Sequence, residues 1–301
     1  MNIQWYPGHM TKAKRNMAND VKLVDIVIEL LDARTPYSTQ NPDIKKLTAG
    51  KKRLILLNKS DLADTNITSQ WIRFFRSEGC EVVALDSRRR DAINLVRQAI
   101  YRLGEDKRER DKKRGLTETR AVKALICGIP NVGKSTFINT LAGRASAKTG
   151  NKPGVTKGNQ WLTVGNDFLL LDTPGVLWPK FEDKNVGLHL AMIGAINDQI
   201  VNLEELSMEL LTFIDNNYPG LLEEKYAISK EALEEAVCEA DQGILGVNPR
   251  ALAFLTLIAS SRGCIRKGAA PDYERCSKLL IDDFRSGRLG KISLERPIDG
   301  K

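Results

Sequence analysis

Three short stretches of the chain carry residue types whose spacing suits phosphate and purine chemistry. The first is GIPNVGKS, residues 128–135. Gly128, Gly133, Lys134 and Ser135 satisfy GxxxxGK[ST]. The glycines let the backbone turn tightly, so that successive N–H groups can face phosphate oxygens. Lys134 would neutralise the β/γ oxygens, and the Ser135 hydroxyl can ligate Mg²⁺. Asn131, Val132 and Thr136 lie in the same loop and first helical turn and are further candidates for nucleotide contact. The second stretch is NKSD, with Asn58, Lys59 and Asp61 matching NKxD. Guanine presents N1–H and N2–H₂ side by side, and the Asp61 carboxylate could accept both. Adenine lacks that donor pair and would leave the carboxylate unpaired, which costs affinity. Asn58 would hold the loop, while the Lys59 stem packs over the purine.

The third stretch is DTPG, residues 172–175. Asp172 suits holding Mg²⁺ through water, and Gly175 would offer a bare backbone N–H to a γ-phosphate. Between the first and third stretches lies KTGNKPGVTKG, residues 148–158. Its Thr156 is the candidate to complete the Mg²⁺ shell, in a loop that orders around the γ-phosphate. The plainer alternative is a solvated threonine on a surface loop. Asp86 and Ser87 end the run EVVAL. They either support the base carbonyl through a backbone N–H or simply cap the next helix.

These residues need a scaffold, and the flanking pattern supplies one. VDIVIELLDA, RLILLN, EVVAL, VKALICG, NQWLTV and DFLLLD are short apolar runs of the kind that form strands covered on both faces. Amphipathic stretches at 67–79 and 91–104 lie between them. The alternation predicts an α/β fold: a P-loop GTPase domain with a mostly parallel sheet over residues 1–180. Residues 104–120 are almost all charged or small and read as a solvated connector. Strand signals stop near residue 180, and four helical segments follow, so 181–301 is expected to be a C-terminal all-α domain. Asn202 and Ser229 are expected N-caps; Gly263 and Gly287 are expected to close the last two helices.

The order of the motifs is unusual. The base-reading loop comes before the phosphate loop, whereas an ordinary GTPase runs the other way. The pattern is that of the same sheet cut after DTPG and rejoined through 104–120, a circular permutation. A compact parallel domain tolerates such a cut because its termini lie at the surface. One consequence is mechanical. Chain beyond DTPG leaves the sheet for the helical domain, so loss of a γ-phosphate at Gly175 would be transmitted there directly.

Bulk properties narrow the partners. The formal net charge is +8 with a pI near 9.2, which favours a polyanion such as RNA. The basic stretches SSRGCIRKGAAPDYERCSK and FRSGRLGK are candidate phosphate-backbone contacts, a solvated helix face being the equal alternative. No apolar run reaches the ~20 residues that span a bilayer, and the N-terminus lacks the apolar core of a signal peptide, so a cytoplasmic protein away from membranes is expected. The five cysteines are scattered and read as reduced, mostly buried thiols.

Taken with WYPGHMTKA, DARTPYSTQNP, NKSDL, GIPNVGKSTFIN, PGVTKG and DTPGVLWP, the chain resembles the ribosome biogenesis GTPase A family, the YlqF-type circularly permuted GTPases. The resemblance covers nearly the whole chain. It implies a bacterial cytoplasmic protein, here expected as a monomer, that binds GTP or GDP with Mg²⁺. It further implies that the protein acts late in assembly of the large (50S) ribosomal subunit. Hydrolysis would be stimulated by that particle, and a helical domain would touch its rRNA. The residues alone leave open a nucleotide-gated RNA-binding module whose hydrolysis is incidental. They disfavour a small-subunit factor with a zinc module, because no Cys/His cluster exists.

Ras-like proteins orient the attacking water with a glutamine beside the DxxG glycine. Val176 and Leu177 stand there instead, so the group must come from elsewhere. Of the two histidines, His189 reads as a helix residue at a domain boundary. His9, in PGHM, is implied by the resemblance to position water, the alternative being a mobile side chain. The resemblance also implies that Asn131 helps hold K⁺ beside the phosphates.

Overall fold

In a computed structural model of the chain, the described residues are 17–116, 120–143, 160–164, 168–173, 175, 177, 183–241 and 248–297. They form two compact units. One runs to Leu190 and takes back the chain from Ser293 onward; the other spans Ala191–Ile292.

The first unit is built on a six-stranded sheet: β1 (Ile26–Asp32), β2 (Lys52–Asn58), β3 (Glu81–Leu85), β4 (Val122–Gly128), β5 (Gln160–Val164) and β6 (Phe168–Asp172). Its order is β3-β2-β1-β4-β6-β5, and only β5 runs antiparallel to its neighbour. All seven residues of β1 are buried, which is why its apolar run shows no alternation. The register pairs Asp32 with Asn58, Leu30 with Gly128 and Ile126 with Asp172. The three motif-bearing strands therefore end at one edge. Counted from β4 as the first strand, the order becomes 2-3-1-4-5-6. That is a doubly wound sheet whose order reverses between β4 and β1.

The helices follow the sequence pattern. Helices α1 (Pro36–Thr39) and α2 (Pro42–Leu47) follow β1. Helix α3 (Thr65–Ser77) is capped by Asp64, which accepts from the Asn66 and Ile67 amides, and packs Trp71 and Phe75 against Ile55, Leu57 and Val82. Helix α4 (Arg90–Leu103) buries Ile93, Val96 and Ile100.

The segment expected as a solvated connector is instead largely helical, as α5 (Glu105–Lys113). Its Glu, Lys and Arg residues are good helix formers, and acids in the first turn with bases in the last complement the helix dipole. Nor is it all solvated. Asp111 is fully buried and accepts from the Arg120 amide at 3.1 Å and Nη2 at 2.7 Å.

Helix α6 (Lys134–Ala142) opens directly after Gly133, and α7 (Lys184–Met192) leads to the division between the units. The expected boundary at 180/181 thus falls earlier in the chain than the observed division, and residues 293–297 do not stay with the helical unit. Hydrogen bonds explain their return. The Leu294 amide donates to the Arg34 carbonyl at 2.7 Å, and the Trp71 indole donates to the Glu295 carbonyl at 3.2 Å. The Glu295 carboxylate accepts from the Tyr37 amide at 2.8 Å and lies 2.9 Å from His189 Nδ1.

In the second unit, α8 (Leu203–Asn217), α9 (Leu221–Tyr226), α10 (Lys230–Asp241), α11 (Pro249–Ser261) and α12 (Tyr273–Arg285) enclose Leu206, Leu210, Phe254, Ile258, Leu280 and Phe284. Asn202 caps α8, and Ser229 Oγ accepts from the Ala232 amide at the start of α10. Gly263 and Gly287 adopt positive φ just past α11 and α12, where a side chain would be strained. Of the five free cysteines, only Cys238 is exposed. No helix among the described residues is long and apolar enough to cross a membrane.

Candidate nucleotide-binding site

In doubly wound sheets, ligands bind beyond the carboxyl ends of the strands where the strand order reverses. Here that edge gathers the loops after β1, β2, β3, β4 and β6, so NKSD, DSR, GIPNVGKS and DTPG meet although they are scattered along the sequence.

The loop after β2 is tied to the loop after β4. Asn58 Nδ2 donates to the Val132 carbonyl at 2.6 Å, and Lys59 Nζ donates to the Asn131 carbonyl at 2.9 Å. The approach is tight: a Cβ on Gly133 would fall 2.3 Å from Asn58 Nδ2, at a φ of +93° that L residues rarely adopt. The chain-order puzzle is thereby resolved in space, because residues 58–61 and 128–135 share one edge and bond directly. Asp61 is poised in a particular way. Its Oδ2 accepts from Arg88 at 2.7 Å, while its Oδ1 is buried with no hydrogen-bond partner among the described residues. An orphaned buried acceptor is costly, and a donor pair such as the guanine edge would satisfy it.

Asp86 and Ser87 settle into other partners. The Ser87 amide donates to Asn58 Oδ1 at 2.9 Å, so Asn58 bonds to two loops at once. Asp86 accepts from the Arg88 amide at 3.0 Å and from its guanidinium at 2.8 Å, a pairing that holds the Asp86 carboxyl below the usual range. The capping alternative finds no support here: α4 begins after Arg89, which makes no side-chain cap bond.

Lys134 is buried and bonds the Asp172 carboxylate and the Thr173 carbonyl. The P-loop lysine and the aspartate of DTPG are therefore neighbours. Gly175 lies against the same loop, since a Cβ there would come within 3.0 Å of the Pro130 nitrogen. Ser135 and Thr136 are half-buried in the first turn of α6. Ser135 and Asp172 offer hard oxygen donors, and among the described residues no cluster of three His, Cys, Asp or Glu could hold a metal alone. That donor set fits Mg²⁺, which takes few protein ligands and completes its shell with phosphate oxygens and water. Thr156 and His9 lie outside the described residues.

An acid–base pair at this edge, Asp32 with Arg34, escaped the motif reading. Asp32, at the end of β1, is fully buried; it accepts from Arg34 Nε at 2.9 Å and Nη2 at 2.8 Å and pairs with Lys59 Nζ at 3.0 Å. Burial alone would push its carboxyl up, but Arg34 and Lys59 together pull it well below the ordinary carboxylate range. Asp32 therefore positions the lysine of NKSD, whose backbone sits at a φ of +57°. The signal was available in DARTP, an acid and a base at the end of an apolar strand. Only the half-buried partner Lys59, 27 residues on, reveals what the acid does.

With this geometry in hand, comparison with known proteins is informative. Residues 123–247 match a family described as 50S ribosome-binding GTPase. Ribosome biogenesis GTPase A of Bacillus cereus is 42% identical over 297 residues, covering 99% of this chain and 95% of its own. Its namesake in Thermotoga maritima is 31% identical over 99% of this chain and 95% of its own. The GDP-bound structure of T. maritima YlqF aligns with a TM-score of 0.63 at 26% identity, over 94% of this chain and 99% of that one. The GNP-bound form gives 0.59 at 28% identity, over 96% and 99%.

Proposed function

The chain belongs to the ribosome biogenesis GTPase A family and is a circularly permuted GTPase with a role in ribosome assembly, and from that premise we propose that it acts on the large subunit, where the particle stimulates its hydrolysis of GTP. The observation that carries the reading is the tie between the two loops: Asn58 and Lys59 bond the P-loop backbone, and Asp61 keeps a buried oxygen beside them that has no partner among the described residues. The purine binds at Asp61 and the phosphates at Gly133, Lys134 and Ser135. Asn131, Val132, Thr136 and Gly175 supply further contacts, and Asn58 and Ser87 hold the base loop to the cradle. Ser135, Asp172 and Thr156 hold Mg²⁺, which supplies charge neutralisation on the phosphates when bound. To reach those phosphates, Lys134 exchanges its bonds to Asp172 and Thr173, which frees the carboxylate for the metal shell.

Val176 and Leu177, which follow Gly175 in the sequence, cannot orient water, so His9 is assigned that role, and Asn131 is assigned to K⁺. The site works in the bacterial cytoplasm, on a monomer whose helical unit contacts rRNA. Two measurements test the reading. GTP turnover should rise with large subunits and not with small ones; equal or absent stimulation would overturn the large-subunit assignment. His9→Ala should bind GTP normally and lose most of the stimulated turnover, whereas full turnover would remove His9 from the mechanism.

A further inference from the structure

The end of the sheet opposite the nucleotide loops holds a cavity of about 470 Å³. β1, β4 and β6 run parallel, so their first residues share that end. At about 3.3 Å per residue, the strands set the cavity on the order of 20 Å from the loops. Its walls are Lys107, Arg110 and Arg114 from α5 and its C-terminal cap, and Arg120 and Lys123 around the start of β4. Among the described residues, Asp25 and Asp111 are the only carboxylates in the lining.

Both carboxylates are already committed. Asp111 holds Arg120, and Asp25 accepts from Lys107 Nζ at 2.7 Å and from the Lys123 amide at 2.9 Å. These bonds fix two of the cations in place rather than cancelling the cluster. Arg110, Arg114 and Lys123 are exposed and have no carboxylate at salt-bridge distance among the described residues. Cations at the end of α5 complement its dipole, but that accounts for the α5 pair and not for Arg120 or Lys123 on the strand side. Arg110 and Arg114 stand one turn apart, and the planar guanidinium matches phosphate oxygens in pairs. An aromatic flanks the cluster: Trp161 on β5 is 42% exposed, with Lys123 Nζ 5.8 Å from its ring centre. Such a ring offers a stacking surface that a base can use and a bare phosphate cannot.

The geometry points to a cleft for the phosphodiester backbone of single-stranded RNA, built by α5 with its cap Arg114 and by the residues around the start of β4. This rests on the ribosome-assembly reading for the identity of the RNA, not for the chemistry of the cleft. The full chain thus holds RNA on its GTPase unit, at the end of the sheet away from the nucleotide.

The test is the double variant Arg110→Glu/Arg114→Glu in the full-length chain, titrated against large subunits from about 50 to 200 mM salt. Affinity should fall at least tenfold, and the plot of log affinity against log salt should flatten by about 1.4–1.8, the loss of two phosphate contacts. GTP affinity, measured in the same preparation, should be unchanged and shows that the unit is folded. Arg73→Glu/Arg76→Glu on α3 makes the same charge change at exposed positions away from the cleft and should lose no more than about twofold. An unchanged slope in the first variant, or equal losses in both, overturns the cleft. If the unaltered chain fails to bind large subunits, the ribosomal reading falls by itself. The same comparison on a mixed-sequence single-stranded RNA oligonucleotide then decides the cleft.

Discussion

At the carboxyl end of the sheet, Asn58, Lys59 and Lys134 are each turned onto a neighbouring loop, while at the amino end Arg110, Arg114 and Lys123 form no ion pair among the described residues. The same β-strands set both ends, so the difference is not one of scaffold. At the first end, charge is spent on fixing backbone: Asp32 is shielded and saturated, and its partners hold the loops in register. At the second, carboxylates fix only two of five cations, and the rest remain available. A preorganised small-molecule site and an electrostatic surface thus differ in how much of their charge the protein itself consumes.

The largest effect should come from breaking the saturated end. Asp32→Asn leaves the buried Arg34 guanidinium without its counter-charge and should destabilise the first unit by about 3–5 kcal/mol, read from denaturant midpoints. Its pH dependence sharpens the point. Arg34 and Lys59 hold the Asp32 carboxyl well below its ordinary range despite burial. An unfolded carboxyl ionises near pH 4, so this stabilisation is complete above about pH 4 and is lost as pH falls toward the folded value. The unaltered chain should therefore lose stability in acid, and Asp32→Asn should lack that portion of the loss. Parallel acid profiles for the two would show that Asp32 titrates alike in the folded and unfolded chain, and would remove its stabilising role.

Gly133→Ala comes next. Its Cβ would meet Asn58 Nδ2 at 2.3 Å, and its φ of +93° is strained for any L residue. Together the strain and the lost Asn58–Val132 bond should cost about 3 kcal/mol of cradle geometry, or roughly 100-fold in GTP affinity. Titration with a fluorescent GTP analogue reads this directly. A variant binding within fivefold of the parent would mean that the tie between the loops is not needed. Arg88→Ala should do less. Arg88 is 67% exposed and bridges Asp61 to Asp86, so its removal frees Asp61 while loosening the loop, and GTP affinity should change by only about two- to fivefold.

The two ends also differed in how far the sequence disclosed them. All six strands were legible, the five parallel ones as apolar runs; β5, the antiparallel edge strand, was expected to be covered on both faces but alternates exposed Trp161 and Thr163 with buried Leu162 and Val164. The nucleotide loops were legible because their backbone geometry demands particular residues at fixed spacing, such as Gly133. Asp32 was not, since its meaning depends on Lys59, in the loop after a neighbouring strand. Residues 104–120 were read in part: most of the described ones are exposed, as expected, but the helix and the buried Asp111 were missed, because Asp111 finds its partner at Arg120 only once the chain folds back. The return of residues 293–297 to the first unit was equally hidden, because backbone bonds from Leu294 and Glu295 leave no trace in composition.

The smallest effect on nucleotide should come from Asp111→Asn, and its smallness is what distinguishes the two ends. Asp111 is as buried as Asp32 and likewise holds an arginine, yet no bond among the described residues runs from it to a nucleotide loop. Replacing it should release Arg120 and lower the melting temperature, while GTP affinity stays within about twofold. RNA binding should weaken as Arg120 loses its fixed direction, even though removal of a carboxylate makes the cleft more positive. If charge alone governed that end, RNA affinity would rise instead. The sign of the change, measured beside an unaltered GTP affinity, therefore separates an organised cleft from a diffuse basic face.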